Sequence, residues 1–213
     1  MSKRNVTCVL FVVLVLLSSN LMGSIIIGLG NYTSKLNDLY VPYPSPLISN
    51  SLHGHGFQFG LESPIKLFNS KHFFIQPGLY YVKKGGKLLV GDFASQQNIY
   101  DLRYIQLPVA LKFKYANFYV LAGGYGAINT RARKTITIAG DSLTSDIKNN
   151  VKSLEFGLTA GIGYEFRVRR SSYFLIETRY EKGLTNIFGK SNLMGAESWG
   201  KNSATRFMIG YRF

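Results

Sequence analysis

Apolar side chains occupy every second position over about ten residues, and this pattern recurs eight times along the chain. In the clearest copy, LEFGLTAGIGYEF at 154–166, one parity is wholly apolar and the other carries only Glu, Gly and Thr. Such an alternation predicts a β-strand with one apolar face, because successive side chains of a strand point to opposite faces. Strands of about ten residues are long enough to cross a bilayer at a tilt. The eight segments are 25–32, 57–67, 73–82, 105–115, 118–128, 154–166, 174–181 and 205–213, of which 118–128 is rich in Gly and leaves its phase open.

The connections between these segments alternate in length. Long connections at 33–53, 84–100, 131–152 and 183–203 alternate with short ones at 68–71, 116–117 and 168–172. This rhythm is typical of an outer-membrane barrel, which has short periplasmic turns and longer outer loops. A soluble barrel would also alternate, but here the polar parity carries charges in mid-strand and aromatic residues end the apolar parity, as in interfacial girdles. We therefore predict an all-β fold: an eight-stranded antiparallel up-and-down transmembrane β-barrel, with ten strands left open if loop residues such as 135–138 contribute.

The amino terminus has the order of a secretory signal peptide. Lys3 and Arg4 precede an apolar run at 6–17, and small or polar residues follow. The run of about 12 residues is shorter than the ~20 that a spanning helix needs, although a retained anchor is the alternative. We predict a cleaved signal peptide at 1–23 and an outer-membrane β-barrel domain at 24–213. The single Cys of the chain excludes an intramolecular disulfide framework.

The polar parity of the strands is expected to face the lumen. The interior of an eight-stranded barrel is only wide enough for its own side chains, so charges there should pair with one another and fill it. A proton or ion path through the lumen, and hence a small pore, is the functional alternative. The predicted lumen ion-pair network comprises Glu62, Lys66, Lys112, Lys114, Glu155, Glu165, Glu177, Arg179, Glu181, Arg206 and Arg212.

Positive charge is concentrated in the expected outer loops. The chain has 25 Lys and Arg residues against 11 Asp and Glu residues. Basic side chains at the outer surface would face the phosphates of lipopolysaccharide, which they bind well, although a solvated charged face is the plainer explanation. Nucleic acid is a poor alternative partner because the signal exports the chain. The lipopolysaccharide-facing residues are predicted to be Lys83, Lys84, Lys87, Arg131, Arg133 and Lys134.

An enzyme that modifies lipid A is a further alternative. Such chemistry needs a Ser or Asp working with a His near the outer leaflet. The candidates are His53 and His55, with Ser49, Ser51 or Asp101 nearby. Two His residues at i and i+2 could also form a weak metal site, but no third ligand is evident. We expect no catalytic residues, no bound metal and no cofactor.

The last segment, RFMIGYRF, resembles the carboxy-terminal signature that the barrel assembly machinery of the outer membrane reads. The residues of its apolar parity are Phe207, Ile209, Tyr211 and Phe213. The blocks at 60–68, 72–88, 101–115, 119–127, 154–166 and 176–187 resemble, in order, the PorT-like outer membrane β-barrel family of Bacteroidota. This resemblance implies location in the outer membrane, contact with membrane lipids, and a structural or adhesive role, or one as an accessory of a secretion (type IX-like) or gliding assembly. It implies no catalytic residues.

Overall fold

The structure is a computed structural model that describes residues 27–37, 52–68, 70–90, 96–138, 140–170, 172–187 and 201–212. The predicted signal peptide lies outside these residues. Within the described ranges, one short 3-10 helix, Lys148–Asn150, accompanies ten strands. The strands are β1 (Ile27–Asn37), β2 (Leu52–Glu62), β3 (Ile65–Lys66), β4 (Phe73–Val90), β5 (Gln96–Tyr115), β6 (Phe118–Ile138), β7 (Asp141–Asp146), β8 (Leu154–Arg167), β9 (Tyr173–Gly183) and β10 (Lys201–Arg212).

Eight of the strands close into an antiparallel barrel. The hydrogen-bonded order is β2, β1, β10, β9, β8, β6, β5, β4, and β4 pairs back onto β2. The two-residue strand β3 continues β2 along β4, and β7 pairs only with β6 within the described chain. The predicted eight-stranded barrel is therefore confirmed. Residues 135–138 belong to β6, and β7 lengthens that hairpin rather than adding a strand to the ring.

The two ends of the barrel differ. Short turns follow β3, β5 and β8, and the first residue of β1 and the last of β10 lie at the same end. We call this end the turn end and the opposite one the loop end. No helix within the described ranges is long and apolar enough to cross a membrane.

The strands β4, β5 and β6 are much longer than predicted. They contain 18, 20 and 21 residues, so the expected loops 84–100 and 131–152 are largely strand. Roughly ten residues suffice for a tilted crossing, and the rest rise above the barrel at the loop end. Their hydrogen-bond ladder continues there, but the inward face mixes polar residues with apolar ones such as Leu102 and Ala132, so the alternation is no longer continuous in the sequence. A β-bulge between Arg103 and Tyr104, opposite Thr130, marks the transition. We call residues 83–90, 96–103 and 130–146 the hairpin extension.

The side chains sort by parity as expected. On β5, Val109, Leu111 and Phe113 are exposed on the outside of the barrel, whereas Gln106 and Lys112 are fully buried inside it. Large apolar side chains from seven strands share the outer face and form an apolar belt. On β6, whose phase the sequence left open, the residues of the inward parity are buried; they are Tyr119, Leu121, Tyr125, Ala127 and Asn129.

Inward glycines make room for tyrosines of the neighbouring strands. A Cβ atom at Gly157 would lie 2.5 Å from ring atoms of Tyr125, and one at Gly163 would lie 2.2 Å from the ring of Tyr119. Contacts this short do not occur, so each tyrosine ring occupies the volume that a side chain at its glycine would take. This packing explains why glycine recurs on the polar parity. Gly60 has the same relation to Tyr80, at 2.4 Å.

Candidate functional site

Two arginines lie at the centre of the lumen. Arg179 of β9 stands directly opposite Arg206 of β10, and both side chains are at most 1% exposed. Like charges in opposed positions repel, so they require nearby acids. Arg179 bonds Glu62 at 2.8 Å and also contacts Glu177, while Arg206 contacts Glu181. Three carboxylates thus surround two guanidinium groups, and Gln58 accepts a further bond from Arg206 at 2.7 Å.

A lysine completes the network on the loop side. The Nζ atom of Lys84 lies 2.9 Å from Glu155 and 4.0 Å from Glu181, and the side chain is fully buried. The ammonium group also lies 5.1 and 4.9 Å from the ring centroids of Tyr104 and Tyr125. Glu155 accepts further bonds from the Tyr125 hydroxyl at 2.8 Å and from the Asn202 amide at 2.7 Å.

One carboxylate gathers three cations on the turn side. Glu165 is fully buried and pairs with Lys112 at 2.8 Å, with Arg212 at 2.9 Å and with Lys114. All three cations also lie over aromatic rings: Lys112 is 3.6 Å from the Tyr119 centroid, and Arg212 and Lys114 are 4.2 and 5.1 Å from that of Tyr173. The turn end of the lumen is therefore its most positive part.

Ten of the eleven residues predicted for the lumen meet in these ion pairs. The exception is Lys66, which is exposed because β3 ends at this residue, on the rim of the turn end. Lys84, which the sequence assigned to the outer surface, takes its place inside the barrel. The network in the described part of the chain thus consists of five glutamates and six bases.

An apolar cap covers the network at the loop end. Val151 and Ile187, from the segments that follow β7 and β9, are 5% and 1% exposed and pack against Leu102, Tyr104 and Ala132. A backbone bond of 2.7 Å from Lys152 to Ile187 ties the two segments together. In the sequence these cap residues lie within mostly polar loops and belong to no periodic apolar pattern, which is why they were not predicted.

The six basic residues predicted to face lipopolysaccharide separate into two groups. Lys83 and Arg131 have the outward parity, and Lys87 and Arg133 are exposed. Lys84 is inside the lumen, so its assignment to the surface is wrong. Lys134 has the inward parity of the hairpin extension and lies 5.7 Å from the Tyr100 ring centroid. Burial there lowers the pKa of Lys134 below its ordinary value.

The structure describes few of the side chains that the enzyme and metal-site alternatives would use. The side chains of His53 and His55, and the whole of Ser49 and Ser51, lie outside what the structure describes. Asp101 is described, and its carboxylate is held by Arg103 at 3.1 Å. Among the described residues there is no cluster of three or more His, Cys, Asp or Glu side chains that could hold a metal.

The predicted assembly signal is the outer face of β10. Phe207 and Ile209 are exposed within the apolar belt, and Tyr211 is half-buried towards the turn end. Phe213 lies outside the described residues. The face that the strand presents is therefore apolar over the described part of the signal.

A closed antiparallel barrel with an apolar belt outside and ion pairs inside is an integral membrane β-barrel. The family model described as "Outer membrane protein beta-barrel domain" matches residues 24–189, and the chain belongs to this family of outer-membrane proteins. No protein among the curated sequences matches it.

Several solved structures are similar to this chain. The attachment invasion locus protein Ail of Yersinia pestis is 15% identical, with 90% of this chain and 99% of that one covered and a TM-score of 0.39. For Neisserial surface protein A the identity is 12%, the coverages are 88% and 95%, and the TM-score is 0.46. For the outer membrane protease OmpT from Escherichia coli the values are 9%, 90% and 95%, and 0.41.

Proposed function

We propose that this protein is a non-conducting outer-membrane barrel with a structural or adhesive role at the cell surface. The observation that carries the proposal is the closure of the lumen. Arg179 and Arg206 fill its centre, Glu165 gathers three cations below them, and the cap of Val151 and Ile187 covers it above. A barrel without an open lumen acts through its surfaces.

The hairpin extension is the part that we expect to act. The strands β4, β5 and β6 continue for eight or nine residues beyond the apolar belt, which at ~3.3 Å per residue is roughly 25–30 Å of strand. We propose that the loop end faces the outside of the cell and the turn end the periplasm, as in other barrels with short periplasmic turns. The extension would then present β7, all of whose residues are exposed, to the surroundings of the cell.

Conductance in a planar bilayer tests the closed lumen. The purified protein should show no steady ohmic current, because its ion pairs occupy the interior. A porin inserted under the same conditions shows that the assay detects an open channel. Steady conductance of the pure protein would refute the closed lumen and favour the small pore instead.

We also propose how the chain reaches the membrane and to which narrower family it belongs. Residues 1–23 would be removed as a signal peptide, and the barrel assembly machinery would insert the barrel by reading Phe207, Ile209, Tyr211 and Phe213. The narrower family would be the PorT-like family of Bacteroidota. The ordered sequence blocks support this membership, and with it a role as an accessory of a secretion or gliding assembly. A deletion strain should be tested together for secretion, motility and envelope integrity. Loss of integrity alone would support the structural role, whereas loss of secretion or motility would support the accessory role.

We further propose that the protein has no catalytic activity. The ion pair between Asp101 and Arg103 supports this, because a carboxylate held by a guanidinium is poorly placed to serve a histidine. Replacing His53 and His55 with Ala should leave the acyl pattern of lipid A unchanged in mass spectra. A changed pattern would establish the enzyme alternative.

A further inference from the structure

A row of basic side chains crosses the outward face of the barrel at the loop-end border of the apolar belt. Lys83 of β4 stands opposite Arg103 of β5, and Arg103 stands opposite Arg131 of β6. Opposed residues of antiparallel strands have Cβ atoms about 5 Å apart, and like charges in such positions destabilise a sheet. Three neighbouring cations therefore call for negative charge close by. We call Lys83, Arg103 and Arg131 the cation row.

The described residues supply only one carboxylate to this row. Asp101 pairs with Arg103 at 3.1 Å, whereas Lys83 and Arg131 have no carboxylate within ion-pair distance in the described part of the chain. Lys148 adds a fourth cation at the β6 end, where its Nζ atom donates to the Thr130 carbonyl oxygen at 3.1 Å. The backbone N–H of Lys148 donates to the Asp146 carboxylate at 2.8 Å, so four cations face two acids, which leaves a net charge of +2.

An apolar groove lies directly below the cation row. Its volume is about 510 Å³. Tyr81 and Ile105 line it and oppose each other, and each is two residues from a member of the row on the same face of its strand. The Arg103 guanidinium lies 3.4 Å from the Tyr81 hydroxyl, so row and groove are in contact. The other outward side chains of the groove are Phe59, Leu61 and Leu79.

We propose that the cation row and the groove together bind a phosphorylated glycolipid of the outer leaflet, of the lipid A type. Its phosphates would lie on Lys83, Arg103 and Arg131, and one acyl chain would lie in the groove. Guanidinium groups match phosphate oxygens with paired hydrogen bonds, and burial of acyl CH₂ groups adds affinity. In such a lipid the phosphates lie above the acyl chains, just as the cation row lies above the apolar groove. The assignment rests on the proposed orientation of the loop end towards the outside of the cell, and it does not depend on whether the lumen is closed.

The location favours a lipid over a soluble partner. The groove is part of the belt that faces acyl chains, so a soluble protein could reach the cations but not the groove. The site also differs from the surface that the sequence predicted. Arg103 belongs to it, whereas Lys84 and Lys134 have the inward parity and take no part.

Native mass spectrometry in detergent micelles tests the proposal with diphosphoryl lipid A as the probe. The wild type should bind it, and the triple variant Lys83→Gln/Arg103→Gln/Arg131→Gln should bind it roughly 100-fold more weakly, at about fivefold for each cation lost. The matched control Lys71→Gln/Arg169→Gln/Arg170→Gln removes the same charge from exposed positions at the turn end and should bind like the wild type. Equal affinity of the two triple variants would overturn the proposal.

Two altered probes separate the halves of the site. Lipid A without its phosphates and the deacylated sugar bisphosphate should both bind far more weakly than the intact lipid. If the deacylated sugar binds as tightly as lipid A, the row is a site for free phosphate groups and the lipid assignment is wrong. If the triple variant does not fold, the single variant Arg131→Gln, which breaks no described ion pair, should still weaken lipid A binding about fivefold, and unchanged binding would overturn the proposal.

Discussion

Removing the charge of Lys84 should destabilise the barrel far more than removing that of its neighbour Lys83. The Lys84 side chain is fully buried and its Nζ atom lies 2.9 Å from Glu155. Breaking one partner of a buried ion pair costs about 3–5 kcal/mol, because the other charge stays buried and uncompensated. Glu155 would retain neutral donors, the Tyr125 hydroxyl and the Asn202 amide, so we expect Lys84→Met to cost about 3 kcal/mol, at the low end of that range.

A double-mutant cycle isolates the pair. Glu155→Gln alone should also cost about 3 kcal/mol, because it removes the charge of the carboxylate nearest the Lys84 ammonium, whereas Glu181 lies farther away, at 4.0 Å. The variant with both changes contains no unpaired charge at this position. It should therefore be about 3 kcal/mol more stable than the sum of the two single effects predicts.

The assay is equilibrium urea unfolding in phosphatidylcholine vesicles, followed by circular dichroism. Lys83→Met is the matched control, since it makes the same replacement one residue away on the outward face, and its effect should stay within about 0.5 kcal/mol. Equal effects of Lys83→Met and Lys84→Met would show that Lys84 is not buried in the network. Additive effects of Lys84→Met and Glu155→Gln would refute the ion pair.

Three further changes probe the interior. Gly157→Ala should cost about 1–3 kcal/mol by forcing the Tyr125 ring to move, whereas Gly124→Ala, whose Cβ would meet nothing closer than 3.5 Å, should be nearly neutral in the same urea assay. Glu165→Gln should cost at least about 3 kcal/mol, because three cations share that carboxylate, and a smaller loss would contradict the arrangement at the turn end. Ile187→Asp places a charge in the cap and should speed hydrogen exchange of the amides that close the loop end; unchanged exchange would show that the cap does not hold that end.

The barrel could be predicted because the bilayer imposes a contrast on the sequence. Between the two interfaces one parity meets acyl chains and the other meets charges, so segments such as 105–115 and 154–166 alternate without exception on their apolar parity. The same contrast predicted which acids point into the lumen, because Glu155, Glu165 and Glu177 lie on strands whose apolar and polar parities are clear. Segment 118–128 gave no phase, because small residues occupy both of its faces.

The parts that could not be predicted lie where this contrast ends. In the hairpin extension polar and apolar residues are mixed on the inward face, so residues 84–90 and 96–103 look like loop although their hydrogen-bond ladder is complete. The cap depends on contacts between segments far apart in sequence, and no local pattern predicts that Val151 and Ile187 belong to one cluster. Lys66 was misplaced for a related reason, since parity cannot show that β3 contains only two residues.

Lys83 and Lys84 show how the inward and outward parity of β4 within the membrane determines what the next residues of the strand contact. In the sequence they are two adjacent lysines with nothing to distinguish them. The ladder from Tyr80 and Val82, both buried, fixes the next inward position at residue 84 and the outward one at residue 83. One lysine therefore neutralises Glu155 inside the lumen, while the other joins Arg103 and Arg131 on the outer face. A one-residue slip of β4 would turn Lys84 to the outer face and Lys83 to the inner one, and it would also bring the buried Tyr80 and Val82 out of the lumen. The register of this hairpin thus specifies both the closed lumen and the cation row.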